Sequence, residues 1–343
     1  MTTEATQFGR YAQLAVGSAD GSQYLDLSNL QFTFIVKRGD TQTPNTAHIM
    51  VYNVSRETEQ MLAGAPTSEF QNVTLIAGYQ SNYGIIFSGN IRYVRTGHEN
   101  TTDSFIEIVA ADGDSAYNFA IVNTTLAAGS TPAQQIAVCQ QAFAQVNPTV
   151  NGGYVSGSLP GSALPRGKVL FGMARDHMRT IANTTQSSWS IQDGALQVVQ
   201  QLDALPNTAV EVNSATGMIG FPQKTIQGLQ VRVLLNPSIK IGALIKINNA
   251  DINTFAYQVD YASSPGTGAF PSSDAFDKLF QQLRTDADGI YQVLWTEHFG
   301  DTRGNDWYSD IIAIARSADL NFKINSTKFV VPPDTAVTLP PNG

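Results

Sequence analysis

The segment EHFGDTRGNDWYSD, residues 297–310, concentrates one Glu, one His, three Asp, one Arg and a Trp in a chain that has only four histidines. Glu297, His298, Asp301 and Asp306 carry the side chains that a metal site or an acid–base pair requires. Their spacing argues against either. Adjacent side chains on a strand point to opposite faces, so Glu297 and His298 cannot easily serve one centre. Residues 300–306 are mostly turn formers. The expectation is a solvated or partner-facing hairpin tip, with Asp301 to Asp306 at its end and Trp307 starting the return strand.

Other candidates resolve in the same direction. Cys139 is the single cysteine, which excludes an internal disulfide and a Cys-based zinc site. It occupies an apolar helix position and reads as a buried thiol. His177, in ARDHMRT, shares a charged helix face with Arg175, Asp176 and Arg179. His48 opens a strand and reads as half-buried. A glycosidase needs two carboxylates, and Glu59, Glu69, Glu107 or Glu211 could serve, but no pair is singled out. The sequence contains no nucleophile elbow, Walker loop, dinucleotide fingerprint, H-E-x-x-H motif or EF-hand loop. Accordingly no catalytic, cofactor-binding or metal-binding residue is assigned, no cofactor is expected, and the chain is read as a non-enzyme.

Composition sets the frame for the elements. A length of 343 residues exceeds one ordinary core. Charged residues are 14%, against a usual ~25%, and uncharged polar residues replace them. That suits a β-rich protein with surfaces held against partners. The net charge of −8 does not suit gripping phosphates. The opening MTTEATQFGR lacks a basic segment followed by an apolar one, so no signal peptide is expected. No apolar run approaches the ~20 residues of a membrane span.

The first third predicts strands at residues 32–36, 48–54, 72–79, 85–94 and 104–111, interrupted by a short helix over 56–63 that Ser55 caps and Gly64 ends. The middle third changes period. Thr131 or Ser130 caps a helix that carries Pro132 in its first turn and the stripe Ile136, Cys139, Phe143, Val146. A second helix is predicted over roughly 169–183. A hairpin follows over 188–199, turning at Asp193-Gly194. The last third returns to strands at 228–235, 242–247, 257–262, 290–299 and 307–315. An insertion near 263–289 carries a predicted helix over 273–283, and the Pro-rich end is extended.

The first and last thirds share an order of events. Residues 84–110 and 289–315, laid together without gaps, agree at six of 27 positions, where ~2 are expected by chance. The pairs are Gly84/Gly289, Ile85/Ile290, Asn100/Asn305, Ser104/Ser309, Ile106/Ile311 and Ala110/Ala315. The fold class read from this is mainly β with an α+β middle domain: two similar β-barrels flanking a helix-containing insert. The boundaries are 1–115 for the first barrel, 116–217 for the middle domain, 218–330 for the second barrel and 331–343 for the tail.

NTAHIMVYNVSRETEQML (residues 45–62), VTLIAGY (73–79) and IFSGNI (86–91) resemble the first barrel of baseplate hub proteins of contractile-tailed bacteriophages. TGMIGFPQ, GLQVRVLLNPSIKIGALIKI and HFGDTRGNDWYS resemble the start and close of that family's second barrel. The likeness spans residues 7 to 320 and extends to the late-control proteins of temperate phages and the N-terminal part of type VI spike proteins. It implies a structural virion protein, made in the host cytoplasm and built into the tail baseplate as a homotrimer. Three chains with two barrels each would form a pseudo-six-fold ring joining a trimeric spike to a six-fold tail tube. Implied partners are the tail spike protein, the tail tube or tube-initiator protein, other baseplate proteins and the tape measure protein, with DNA only in transit through the channel. No lysozyme module or spike extension is visible. The alternatives carried alongside are a glycan-binding tail protein, on its three Trp and twelve Tyr, and a tail-associated cell-wall hydrolase.

Overall fold

The computed structural model describes residues 9–17, 24–64, 72–157, 159–200, 203–206, 209–225, 228–248 and 289–315. The expected strand at 257–262, the insertion near 263–289 up to residue 288, with its helix, and the tail from 331 lie outside the described residues.

The chain is mainly β. Its first part supplies β1 (Arg10–Gly17), β2 (Tyr24–Asp26), β3 (Phe32–Gly39), β4 (Thr46–Tyr52), α1 (Arg56–Gly64), β5 (Asn72–Tyr79), β6 (Asn82–His98) and β7 (Ser104–Ala111). The middle supplies α2 (Asp114–Phe119), β8 (Ile121–Leu126), α3 (Pro132–Val146), β9 (Asn151–Val155), β10 (Lys168–Met173), α4 (Ala174–Thr184), β11 (Ser187–Gln192) and β12 (Ala195–Gln200). The last part supplies β13 (Val210–Val212), β14 (Met218–Thr225), β15 (Gly228–Leu234), β16 (Leu244–Ile247), β17 (Ile290–Asp301) and β18 (Trp307–Ala315).

Thirteen strands from the first and last parts form one sheet. Within it one strand order occurs twice, as β3-β4-β7-β6-β5 and as β14-β15-β18-β17-β16. Every neighbouring pair in both sets is antiparallel. The two sets are joined by a ladder between β17 and β3. Each set is a hairpin, a return strand and a second long hairpin laid back between them. Alternating apolar residues give each an inner face: Phe32, Phe34 and Val36 on β3, Val231 and Val233 on β15, Ile311 and Ala313 on β18.

The gapless alignment captures only part of this recurrence. With Ser104, Ile106 and Ala110 laid on Ser309, Ile311 and Ala315, the first arms fall five residues out of register: five residues separate the paired His98 and Ser104, and ten separate the paired His298 and Ser309. Gly84/Gly289, Ile85/Ile290 and Asn100/Asn305 are therefore coincidences. A gap at the hairpin tip is what the ladders require.

The middle elements enclose their own core around Phe143, Trp189, Met178 and Leu196. Helix α3 begins where its capping box dictates, with the Thr131 side chain accepting from Gln134 N and the Gln134 side chain accepting from Thr131 N. Ile136, Cys139 and Phe143 are buried, whereas Val146 at the end of the stripe is exposed. The helix expected over 169–183 is corrected: it starts at Ala174, and residues 168–173 are strand β10, paired with β8. Leu170 faces the core while Val169 and Phe171 face out, a period of two that the helical reading averaged away.

Candidate functional site

Strand β17 belongs to the second five-strand set and borders the first, and its environment follows from its pairing. One edge is covered by β18 along its length. The other is divided: β16 takes Ile290 to Gln292 and β3 takes Trp295 to Asp301. Side chains on its inner face therefore enter a packed interior. Two rungs of the β17–β3 ladder pair a glycine with an aromatic. A Cβ on Gly300 would lie 2.2 Å from Phe34 Cζ, and one on Gly39 would lie 2.6 Å from Trp295 Cε3. Only a bare backbone lets the two strands approach this closely beneath a ring.

Glu297 and His298 face opposite sides, as strand alternation requires. Glu297 points outward to Lys37, with Nζ 3.2 Å from Oε1. His298 is 0% exposed, and its Nδ1 shares a 2.7 Å hydrogen bond with Ser309 Oγ. Desolvation, followed by the nearby Arg38 charge, pushes His298 down to about 3. Its Nε2 meets no acceptor among the described residues, so nothing stabilises an imidazolium. This is a neutral structural ring.

The tip is both exposed and anchored: Arg303, Asn305 and Asp306 stay exposed. Asp301 to Asp306 do form the turn, closed by Asp301 N donating to Asp306 O at 2.8 Å. But Arg10 on β1 donates to the carbonyls of Asp301, Gly304 and Asn305 at 3.2, 2.6 and 3.0 Å. Trp307 is 2% exposed within the core of the first strand set, its Nε1 donating to Gly78 O at 3.1 Å and its ring set edge-on to Phe34. The hairpin rooted in one core thus inserts its end into the other. Sequence reasoning placed the turn but had no means of seeing β3 and β1 against it.

A second junction ties the middle elements to the sheet. Arg38, 2% exposed, donates to Ile86 O, Gln192 Oε1 and Asp193 Oδ2. Asp112 accepts from Asp193 N at 2.6 Å and Gly194 N at 2.9 Å. Asp193 and Gly194 have φ of 55° and 77°, the left-handed pair expected of this turn. Burial, then the Asp193 charge, raises Asp112 to about 7. Asn45 and Gln192 complete the network. Beyond the Asp193-Gly194 turn, none of these residues stands out in the sequence, because a buried polar contact between distant elements leaves no local pattern.

The remaining candidates are dispersed. His48 Nε2 is hydrogen-bonded to Glu107 on the adjacent strand, with Arg95 on the same carboxylate, and the His48 hydrogen bond holds Glu107 below the usual carboxylate range. His48 is half-buried, as expected. His177 is partly covered on α4, between exposed Asp176 and Arg179. Cys139 is buried, which raises its thiol to about 11, far from a nucleophile. Glu59 lies on α1 and Glu211 on β13, while Glu69 lies outside the described residues. No group of three or more His, Cys, Asp or Glu that could hold a metal occurs among the described residues. No helix there is long and apolar enough to cross a membrane.

Exposed apolar side chains mark the surface instead. Ile121, Val169 and Phe171 stand on the β8–β10 ribbon, and Phe119 ends α2 two residues before Ile121. Ile219 and Phe221 stand on β14, and Tyr83, Ile85 and Tyr93 on β6.

No protein-family model and no curated protein matches the sequence. Solved structures do. The 43 kDa tail protein of prophage MuSo2 from Shewanella oneidensis aligns with a TM-score of 0.51 at 6% identity, covering 89% of this chain and 98% of that one. The tail protein from Neisseria meningitidis MC58 aligns with a TM-score of 0.53 at 9% identity, covering 89% and 96%. The chain shares its fold with these tail proteins over nearly their whole length.

Proposed function

We propose that this chain is a structural tail protein: the homotrimeric baseplate hub of a contractile, phage-like injection apparatus. The division into 1–115, 116–217, 218–330 and a tail from 331, with two similar barrels around an α+β middle domain, belongs to this reading. Three copies, each with two equivalent units, close a ring with six similar contacts. Such a ring meets a trimeric spike on one side and a six-fold tube on the other, and encloses a channel for the tape measure protein and then DNA. An acidic chain suits that passage, because a basic wall would hold the phosphates.

The observation that carries the reading is the recurrence of one five-strand order, joined to its repeat by the β17–β3 ladder. A chain that repeats a unit and links the copies edge to edge supplies the near-equivalent contacts that symmetry matching needs. The fold shared with a prophage tail protein and a second tail protein agrees with it. The chain is read as non-enzymatic, with spike, tube and other baseplate proteins as partners in the virion.

Native mass measurement of the full chain, with negative-stain imaging, tests the proposal. A trimer showing six similar lobes is expected. A chain that stays monomeric at all concentrations, and in the presence of spike and tube proteins, overturns it.

A further inference from the structure

We propose that a single water molecule is bound inside the seam between the two strand sets, held by His298 Nε2 and Thr296 Oγ1. The inference is independent of the hub reading.

The site is built by two rungs that cross three strands. Val36, His298 and Ser309 form one, and Arg38, Thr296 and Ile311 form the other. Residues directly opposite on a ladder share a face, as do residues two apart on a strand. All six side chains therefore stand on the inner face, and none is more than 2% exposed. Val36 belongs to one apolar core and Ile311 to the other, so the four polar side chains lie where the cores meet.

Hydrogen bonds account for most of this polarity. Arg38 donates to Ile86 O, Gln192 Oε1 and Asp193 Oδ2, and His298 Nδ1 is bonded to Ser309 Oγ. Two atoms are left. His298 Nε2 and Thr296 Oγ1 are buried and meet no partner among the described residues. Buried polar atoms are nearly always bonded to protein or to ordered water, because an unmade bond there is costly. Two residues along a strand advance about 6.6 Å, and one water with two hydrogen bonds spans roughly 5 Å. A single molecule is thus of the right size to join them.

The surroundings select a neutral ligand. Burial and then the Arg38 charge lower His298, and the same charge opposes a metal ion. An anion finds that cation already taken, since Asp193 Oδ2 lies 2.9 Å from Arg38 Nη2. Side chains this deeply sealed admit little larger than water. One water does not replace the solvation an imidazolium needs, so the ring stays neutral. Thr296 stands opposite Arg38, so Ser309, His298, the water and Thr296 continue the polar junction at Asp193 and Asp112 into the second core.

A crystal structure of the full chain, at a resolution that shows ordered solvent, tests this. A peak within about 3.2 Å of both His298 Nε2 and Thr296 Oγ1 is expected. No peak, or a peak touching only one of the two atoms, overturns the inference. A peak that bromide replaces in crystals grown with it marks an anion and overturns it too. Thr296→Val keeps the shape and removes the hydroxyl. With water bound, the water loses a partner and the urea midpoint falls below that of the unaltered chain. In a dry site only an unmade bond is removed, and a midpoint that stays or rises overturns the proposal. Thr296→Ser keeps the hydroxyl and is expected to keep the peak, and its loss counts against the bridge. Should Thr296→Val not fold, the peak in the unaltered chain decides.

Discussion

His98 and His298 stand in corresponding hairpins, each directly opposite a serine, Ser104 and Ser309. One ring lies in solvent and the other is sealed from it. The β6–β7 tip, residues 99–103, is held mainly by its own side chains, such as Asn100 Nδ2 donating to Asp103 Oδ2 at 2.7 Å. The β17–β18 tip is held by Arg10 and anchored by Trp307 in a core belonging to the other strand set. Strand order does not distinguish the two. What differs is whether a further strand covers the outer edge. That single difference seals His298, while Arg303 and Asp306 at the tip stay exposed.

The comparison can be broken most forcefully at Trp307. Trp307→Ala removes an anchor and its bond to Gly78 O, and is expected to cost about 3–5 kcal/mol of stability in urea unfolding. Thr102→Ala, in the solvated tip, should change it by less than about 0.5 kcal/mol.

The second test uses pH. His298 has a folded pKa of about 3 against an ordinary 6.5. The unfolded chain therefore binds more protons between those values, and stability falls as pH drops below 6.5. From pH 6.5 to pH 5 this contributes a loss of about 2 kcal/mol, which His298→Gln should abolish and His98→Gln should not. Asp112 works in the opposite sense. Its raised pKa of about 7 means that the folded state holds the extra proton, so stability from this group falls as pH rises from about 4 to about 7. Asp112→Asn should flatten that decline in the same titration.

A smaller effect is expected at Gly300. Gly300→Ala forces a methyl against the Phe34 ring, costing about 1–2 kcal/mol. Smallest is the outward pair: Lys37→Ala should cost no more than about 0.5 kcal/mol, since exposed ion pairs contribute little. A result of 2 kcal/mol there would show that the outer face of β17 is also covered.

Much of the local architecture was legible in the sequence. The α3 cap, the Asp193-Gly194 turn, and strands β15 and β18 all lie where residue types and periodicity put them. So does the opposition of Glu297 and His298. The failures share a cause. Strand β10 was absorbed into a helix because Val169, Leu170 and Met173 satisfy a helical stripe as well as a strand's alternation. The repeat was detected through Ser104, Ile106 and Ala110, whereas three further identities were accidents of an alignment without a gap.

By itself the sequence determined which segments become strands and helices, where they turn, and which face of each is apolar, because those properties reside in neighbouring residues. Only the tertiary structure decided that β17 lies against β3, that Trp307 fills a distant core, and that Arg38 and Asp112 meet the β11–β12 turn. Edge pairing is made by backbone groups that every residue carries, so no side-chain pattern announces which edges meet. The segment around His298 looked reactive for its composition. Its burial beneath β3, across more than two hundred and fifty residues of chain, is what makes it structural.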